Sequence, residues 1–446
     1  MMQIVQRLQP QTSVHDLSPF RFLKGIAGIS AYASRALVCP GTAVVGATNE
    51  TDKKNLQCNH DWLRGIGMGA DDMIVVENEN LRNGILCDMQ HRSYMQRVSD
   101  AIYRRSQPLS LFLSRDMEPL IMSLGLDWAS VLSPHPQVSE IFDDKHYLRC
   151  LATNLGMSNA FPPWEYVNNG IDDLFRSCTR VLNFARDHLP TDTVFLKVHD
   201  YDGGEGVFRW EPNVDAAKLA AFAKQHLSMG IIVDAGYPRG KFRMHEFSVK
   251  VEINHSSWRP LYYSRQIVSH DAHMGNEVAL GENILDRETD DAVYRTIAPL
   301  CKEAVRRGYG FGHTRTMGID FMIVDTAKGR SVMLLEANAR TTAVDYAMAV
   351  CQQAAERFGG HAAVVMENID GLPPGIEHDQ LRDHWLRGRP WNGKSQPGFL
   401  IGNAACLSRG KATVYCIGPT LAEARLVRLG LLPQPRETKR QQITDT

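Results

Sequence analysis

The sequence predicts a protein of mixed class, an α/β region followed by an α+β region, and three observations carry that expectation. Short apolar runs, Ala43-Val44-Val45, Met73-Ile74-Val75-Val76 and Leu109-Ser110-Leu111-Phe112-Leu113, alternate with helical patterns over residues 1–135. Such alternation is the mark of parallel strands joined by helices. Farther on, residues 171–189 and 214–228 read as helices flanking the short strand Val194-Phe195-Leu196-Lys197-Val198. Finally, Gly318-Ile319-Asp320-Phe321-Met322-Ile323 and Leu334-Leu335-Glu336-Ala337-Asn338-Ala339-Arg340 begin as buried-strand runs yet carry oxygen-bearing side chains.

Taken in order, the first 135 residues suit a Rossmann-like layer, including a polar helix over 89–105. No GxGxxG is present, and Gly65-Ile66-Gly67-Met68-Gly69 has the wrong spacing, so it reads as a loop. Residues 138–160 read as one helix with Leu148, Cys150, Leu151 and Leu155 on its apolar side, stopped near Gly156 and Pro162-Pro163. Gly230 to Asp234 is a short buried run, and over Phe242 to Ile253 apolar residues alternate with polar ones, as in a strand. An amphipathic helix follows over 286–309 and another over 343–358. The segment 370–398, rich in Pro, Gly and charge, reads as a linker. Two strands, 399–407 and 412–417, then lead to a helix opened by the capping box Thr420-Leu421-Ala422-Glu423. Residues from Arg436 onward are polar and expected to be disordered.

The third observation carries the chemistry. In a strand, residues two apart point to the same face, so Glu336 and Asn338 share one. An unpaired buried carboxylate is costly. Asp320, Glu336 and Asn338 converging on one face make sense around a hard divalent cation, Mg²⁺ or alternatively Mn²⁺, which takes carboxylate, water and phosphate oxygens. Two edge strands with solvent-facing acids are the plainer alternative. Upstream, the Lys197 strand runs into His199-Asp200-Tyr201-Asp202-Gly203-Gly204-Glu205-Gly206-Val207. Gly203, Gly204 and Gly206 would let backbone N–H groups approach phosphate oxygens, with Lys197 adding a point charge. A hairpin loop explains the same glycines, and no Gly-Lys-Ser/Thr follows as in a Walker A loop.

In this order the two stretches resemble the ATP-grasp superfamily over roughly residues 135–350, and the second stretch is the specific one. The resemblance implies ATP held between two α+β subdomains, the ATP-grasp fold, here preceded by a pre-ATP-grasp domain. Residues 1–135 would be that domain, and 136–370 the core with a mobile small subdomain at about 160–255. A C-terminal β-β-α unit and tail would fill 371–446. More distantly the chain is similar to pheganomycin-type peptide ligases. The resemblance gives Lys145, in Asp143-Asp144-Lys145, a phosphate contact. It makes Asp234, Ala235 and Gly236 the adenine-reading hinge and Glu246 the ribose ligand, with Glu252 as the alternative. Asp320, Glu336 and Asn338 become the Mg²⁺ ligands.

Enzymes of this superfamily mostly phosphorylate a carboxylate and let an amine displace the phosphate, work that consists of positioning and charge neutralisation. Arg340, two residues past Asn338, would hold the carboxylate or acylphosphate through a planar fork. D-alanine–D-alanine ligases have Ser-Pro-Gly in this region, where this chain has Arg340-Thr341-Thr342, which argues for a different acid. They also have an arginine two positions before the metal aspartate, where this chain has Gly318. Arg315 and Arg265 are the candidates to supply that missing cation. His270 and His273 have a spacing that suits metal, but no further His or Cys ligand is near. The expected activity is an ATP-dependent carboxylate–amine ligase that releases ADP and phosphate while joining small molecules, amino acids first among them. The alternatives are a biotin-carboxylase-like or purine-pathway enzyme, or a non-catalytic ATP-binding protein.

Composition narrows the setting. With 446 residues the chain has room for two or three domains. A formal charge of −1 gives no broad electrostatic footprint for nucleic acid or an anionic membrane. No apolar run reaches membrane-span length, and Met1 to Pro10 lacks a signal-peptide core. The nine cysteines are scattered without a CxxC pair, which fits reduced thiols. A cytoplasmic protein, monomeric or homodimeric, is expected.

Overall fold

The computed structural model describes residues 9–16, 29–77, 92–186, 191–199, 206–212, 216–237, 243–269, 272–326 and 329–431. The N-terminal sheet is parallel throughout, with strands ordered Asp72–Glu77, Gly41–Ala47, Gln11–Val14 and Leu109–Leu111. The three expected runs all form strands. Gln11–Val14 was not legible, because Val14 is its one apolar residue. It is nevertheless a central strand, with Thr12 and Ser13 buried between neighbours. Helix Glu50–Gly65 starts at Asn49, whose side chain accepts from the Asp52 N–H.

The helix expected over 138–160 is two helices, Pro136–Asp143 and Lys145–Asn154. Asp144 breaks it. Its backbone is extended, at ψ 120°, and its carboxylate accepts from the N–H groups of His146 and Tyr147. An acid at this position caps a new helix more effectively than it continues an old one. The break turns Asp143, Asp144 and Lys145 into a corner between the two helices.

A four-stranded antiparallel sheet follows, ordered Trp164–Val167, Ile231–Ala235, Val194–Val198 and Val207–Trp210. Val194, Leu196, Ile231 and Val233 pack on helices Ile171–Arg186 and Ala216–His226. By strand alternation Phe195, Lys197, Ile232 and Asp234 face the other way.

The largest element is an eight-stranded antiparallel sheet. Its order is Gly329–Asn338, Arg315–Thr326, Arg243–Ile253, Trp258–Ser269, Ala272–Leu280, Ala362–Ile369, Ala412–Gly418 and Gly398–Gly402. Phe247, Val249, Val251, Ile319 and Phe321 on one face pack against helix Arg287–Arg306. The opposite face carries Glu246, Ser248, Lys250, Asp320 and Met322. The boundary expected at residue 370 does not divide this sheet. The C-terminal strands extend it through Ala362–Ile369. The first of them, expected over 399–407, ends early, at Gly402, because Asn403 takes a left-handed conformation with φ +57° and turns the chain. Nor is 370–398 a loose linker, since Leu372, Ile376, Leu381, Leu386 and Trp391 are buried. One core joins the N-terminal sheet, helix Ala343–Ala355 and the C-terminal strands. Among the described residues no helix is long and apolar enough to cross a membrane.

Candidate active site

Cross-strand register assembles the site. Asp320 lies opposite Glu336, and Gly318 opposite Asn338. Without a bulge, strict alternation would put Leu334 on the charged face. The register shifts between Asp320 and Phe321, so Leu335 is the extra residue. Leu334 thereby enters the core at 1% exposure while Glu336 and Asn338 stay with Asp320. The Asn338 Nδ2 donates to Asp320 Oδ2 at 3.3 Å, leaving its own Oδ1 on the same side to accept from the Arg340 guanidinium at 2.8 Å.

The Asp143-Asp144-Lys145 corner reaches three parts of the molecule. Asp143 accepts from the Ala339 N–H at 3.1 Å and from Arg340 Nε at 3.2 Å. Asp144 lies 2.6 Å from His199 Nδ1, at the end of the Lys197 strand. Lys145 Nζ meets Glu336 Oε2 at 3.0 Å. Burial pushes the Glu336 carboxyl up, but Lys145, with Lys197 and Arg340, outweighs that and holds it below the usual carboxylate range. Glu336 is therefore ionised at neutral pH and ready to bind a cation.

On the small sheet, Lys197 Nζ is 2.8 Å from Asp234 Oδ2, and the same oxygen accepts from Arg149 at 2.7 Å. Arg149 is fully buried, with its guanidinium over the Phe161 and Trp164 rings. Asp234 is thus engaged by side chain. The Ala235 and Gly236 N–H groups, expected to read adenine, go instead to the carbonyls of Pro163 at 2.8 Å and Thr193 at 2.9 Å. The strand runs through Ala235, one residue past the run expected from sequence. A Cβ at Gly236 would lie 3.0 Å from Phe195, so chain and ring are in close contact there. The next residue, Tyr237, joins Met322 and Val324 in an apolar cluster with Met244, Met333 and Leu335. Glu246, opposite Met322, sits at the edge of this cluster. Glu252 lies at the other end of its strand, opposite Thr316, paired with Arg259 at 2.8 Å.

Gly206, at φ +68°, accepts from the Val198 N–H at 3.0 Å and closes the turn into Val207–Trp210. Gly203, Gly204 and His270 lie outside the described residues. His273 bonds to Asn276 at 2.8 Å. Among the described residues no cluster of three or more His, Cys, Asp or Glu side chains has metal-holding geometry. The Asp320–Glu336–Asn338 set, two carboxylates and an amide oxygen, is the donor chemistry that suits Mg²⁺ with its remaining positions left to water and phosphate.

Neither proposed replacement arginine reaches this face. Arg315 pairs in register with Ile253, on the core side. Its guanidinium donates to the carbonyls of Tyr309, Trp128 and Val131. Arg265 lies opposite Phe247, also on the core side, and contacts His245 at 3.2 Å. An odd offset from Asp320 along or across the strands explains both placements. The cation that lies across from Gly318 is Lys250, which sequence reasoning missed. Its ammonium donates to the Arg340 carbonyl at 2.9 Å and to Asp345 at 2.7 Å. The available signal was a lysine two residues from Ser248 in an otherwise apolar alternation.

Arg340 itself is 6% exposed and lies over the Phe112 ring at 5.4 Å, against the carboxyl end of an N-terminal strand. Phe112 in turn stacks on His15 at 3.9 Å, and His15 Nδ1 meets the Tyr346 hydroxyl at 2.6 Å.

No family model matches the chain, and no curated protein matches it. Solved structures do. A biotin carboxylase from Campylobacter jejuni aligns over 95% of this chain and 92% of its own, at 12% identity and TM-score 0.52. N5-carboxyaminoimidazole synthetase from Staphylococcus aureus, complexed with ADP, aligns over 95% and 96%, at 10% identity and TM-score 0.50. Pyruvate carboxylase from Rhizobium etli aligns over 94% of this chain but 37% of its own, at 13% identity and TM-score 0.53. At such identities the likeness establishes the fold, an ATP-grasp fold with an N-terminal parallel-sheet domain.

Proposed function

We propose, on the premise of an ATP-grasp fold, that this chain is an ATP-dependent carboxylate–amine ligase acting on small molecules, amino acids first among them. The observation that carries the reading is Glu336 opposite Asp320, with Asn338 beside them and Lys145 at 3.0 Å. Carboxylates, amide and ammonium on one face are what a metal-bound polyphosphate requires. Asp320, Glu336 and Asn338 would hold Mg²⁺, which when bound neutralises charge on the phosphates. Lys145 and Lys197 would contact the phosphate oxygens. The Tyr237–Met322–Val324 cluster suits the adenine ring, and Glu246 at its edge suits the ribose better than Glu252 does.

In the reaction, a substrate carboxylate oxygen bonds to the γ-phosphorus, and the bond from that phosphorus to the β-bridging oxygen breaks, releasing ADP. The amine then bonds to the acyl carbon, loses a proton and expels inorganic phosphate. Arg340 contributes orientation. Asp143, Asn338 and Phe112 fix its guanidinium, so a carboxylate meets a fork that is already in place.

A screen of amino-acid pairs for release of ADP and phosphate tests this reading. ADP with phosphate is expected, together with a hydroxamate when hydroxylamine replaces the amine. AMP and pyrophosphate, or no amino-acid dependence, would count against it. Bicarbonate belongs in the same screen, because a carboxylase-like enzyme would respond to it.

A further inference from the structure

A buried lysine behind Arg340 has no part in the reaction as derived so far. Lys250 is 2% exposed. Its ammonium donates to the Arg340 carbonyl at 2.9 Å and to Asp345 Oδ2 at 2.7 Å. The same Asp345 oxygen accepts from the Thr342 N–H and hydroxyl, at 2.6 and 3.0 Å, which caps helix Ala343–Ala355. The other oxygen accepts from the Tyr262 hydroxyl at 2.7 Å. One ammonium thus fixes both ends of the Arg340–Thr342 turn, the carbonyl at its start and the helix cap at its close.

Burial lowers the affinity of Lys250 for its proton, and Asp345 works against that. Holding a buried ion pair here therefore has a cost, and replacing both members together by apolar residues of similar size is often neutral for folding. Lys250 also lies directly across from Gly318, on the face of Asp320. That is where the arginine candidates failed to reach.

We infer that Lys250 is a positioning residue for Arg340: with Asp345 it sets the turn that aims the guanidinium at the substrate carboxylate or acylphosphate. The inference rests on the ligase reading. Substrate need not touch Lys250. Its effect on the reaction passes through the Arg340 backbone, so it should appear in turnover and not in nucleotide binding.

The test compares wild type, Lys250→Met and the double variant Lys250→Met/Asp345→Asn, with ATP, Mg²⁺, the standard L-amino acids as acids and hydroxylamine as nucleophile. Hydroxamate and ADP are read alongside thermal melting. In Lys250→Met, kcat should fall on the order of 10- to 100-fold, as for small misplacements at a reacting centre, with KM for ATP unchanged within about twofold. The single variant should also melt lower, because Asp345 loses its counter-charge. Neutralising Asp345 in the double variant should restore melting without restoring kcat. A double variant that recovers kcat together with melting would show a merely structural pair and overturn the inference. So would a rise in KM for ATP that matches the fall in kcat. A wild type that forms neither hydroxamate nor ADP would instead bring down the ligase reading, and this inference with it.

Discussion

The two antiparallel sheets each carry a charged face, but they stabilise those charges differently. On the small sheet, Lys197 and Arg149 share the single carboxylate of Asp234, Arg149 and Asp234 being at most 1% exposed. On the large sheet, Asp320 and Glu336 are set side by side by strand register, and their counter-charge comes from elsewhere in the chain, through Lys145 and Arg340. In the small-sheet triad both cations already converge on one carboxylate oxygen, Asp234 Oδ2. The large-sheet pair keeps two acids together and holds Glu336 ionised against the cost of burial. The first arrangement serves stability and placement of one lysine. The second is poised for a ligand that brings positive charge.

The difference predicts opposite consequences for removing a charge. The largest effect on turnover belongs to Asp320→Asn and Glu336→Gln, which should abolish activity while far-UV circular dichroism and melting stay close to wild type. Near-normal turnover in both variants would erase the distinction between the two faces. On the small sheet, Arg149→Met leaves Asp234 buried with one counter-charge fewer. It should lose about 1.5–3 kcal/mol of folding stability, since Asp234 keeps Lys197 but loses one hydrogen bond to a charged group. Urea unfolding measures it, and an unchanged midpoint would mean the triad does not hold the small sheet together.

Arg340→Lys sharpens the comparison within the large-sheet site. The charge is retained and the planar fork is lost, along with the simultaneous bonds to Asp143 and Asn338. Turnover should drop on the order of 100-fold with little change in melting. Steady-state kinetics that show wild-type kcat would mean that charge alone suffices at this position.

The large-sheet motif was legible in sequence because its members are two residues apart on one strand, with Asp320 nearby on the next, so strand alternation alone groups them. The bulge at Leu335 was not, since it is needed only to reconcile Leu334 with the charged face. Lys145 was legible by resemblance, but its contact with Glu336 depends on the helix break at Asp144, which no periodicity marks. Arg149 was hidden inside an amphipathic pattern, and its partner Asp234 lies 85 residues away. Arg315 and Arg265 were chosen by nearness in sequence, whereas the face a side chain takes depends on cross-strand parity. Parity across the sheet selects Lys250 instead.

The claim that the Asp320–Glu336–Asn338 face binds metal and nucleotide phosphate together is tested most directly by calorimetric titration of ADP, with and without Mg²⁺, into wild type and Glu336→Gln. In the wild-type chain Glu336 ties up Lys145 until a cation takes its place, so the two ligands should assist each other. Wild type should bind ADP more tightly with Mg²⁺ than without it. Glu336→Gln removes a carboxylate from beside Lys145, so it should bind ADP without metal more tightly than wild type does, and Mg²⁺ should then add little. Identical metal-free affinities, with the same gain from Mg²⁺ in both proteins, would contradict the account.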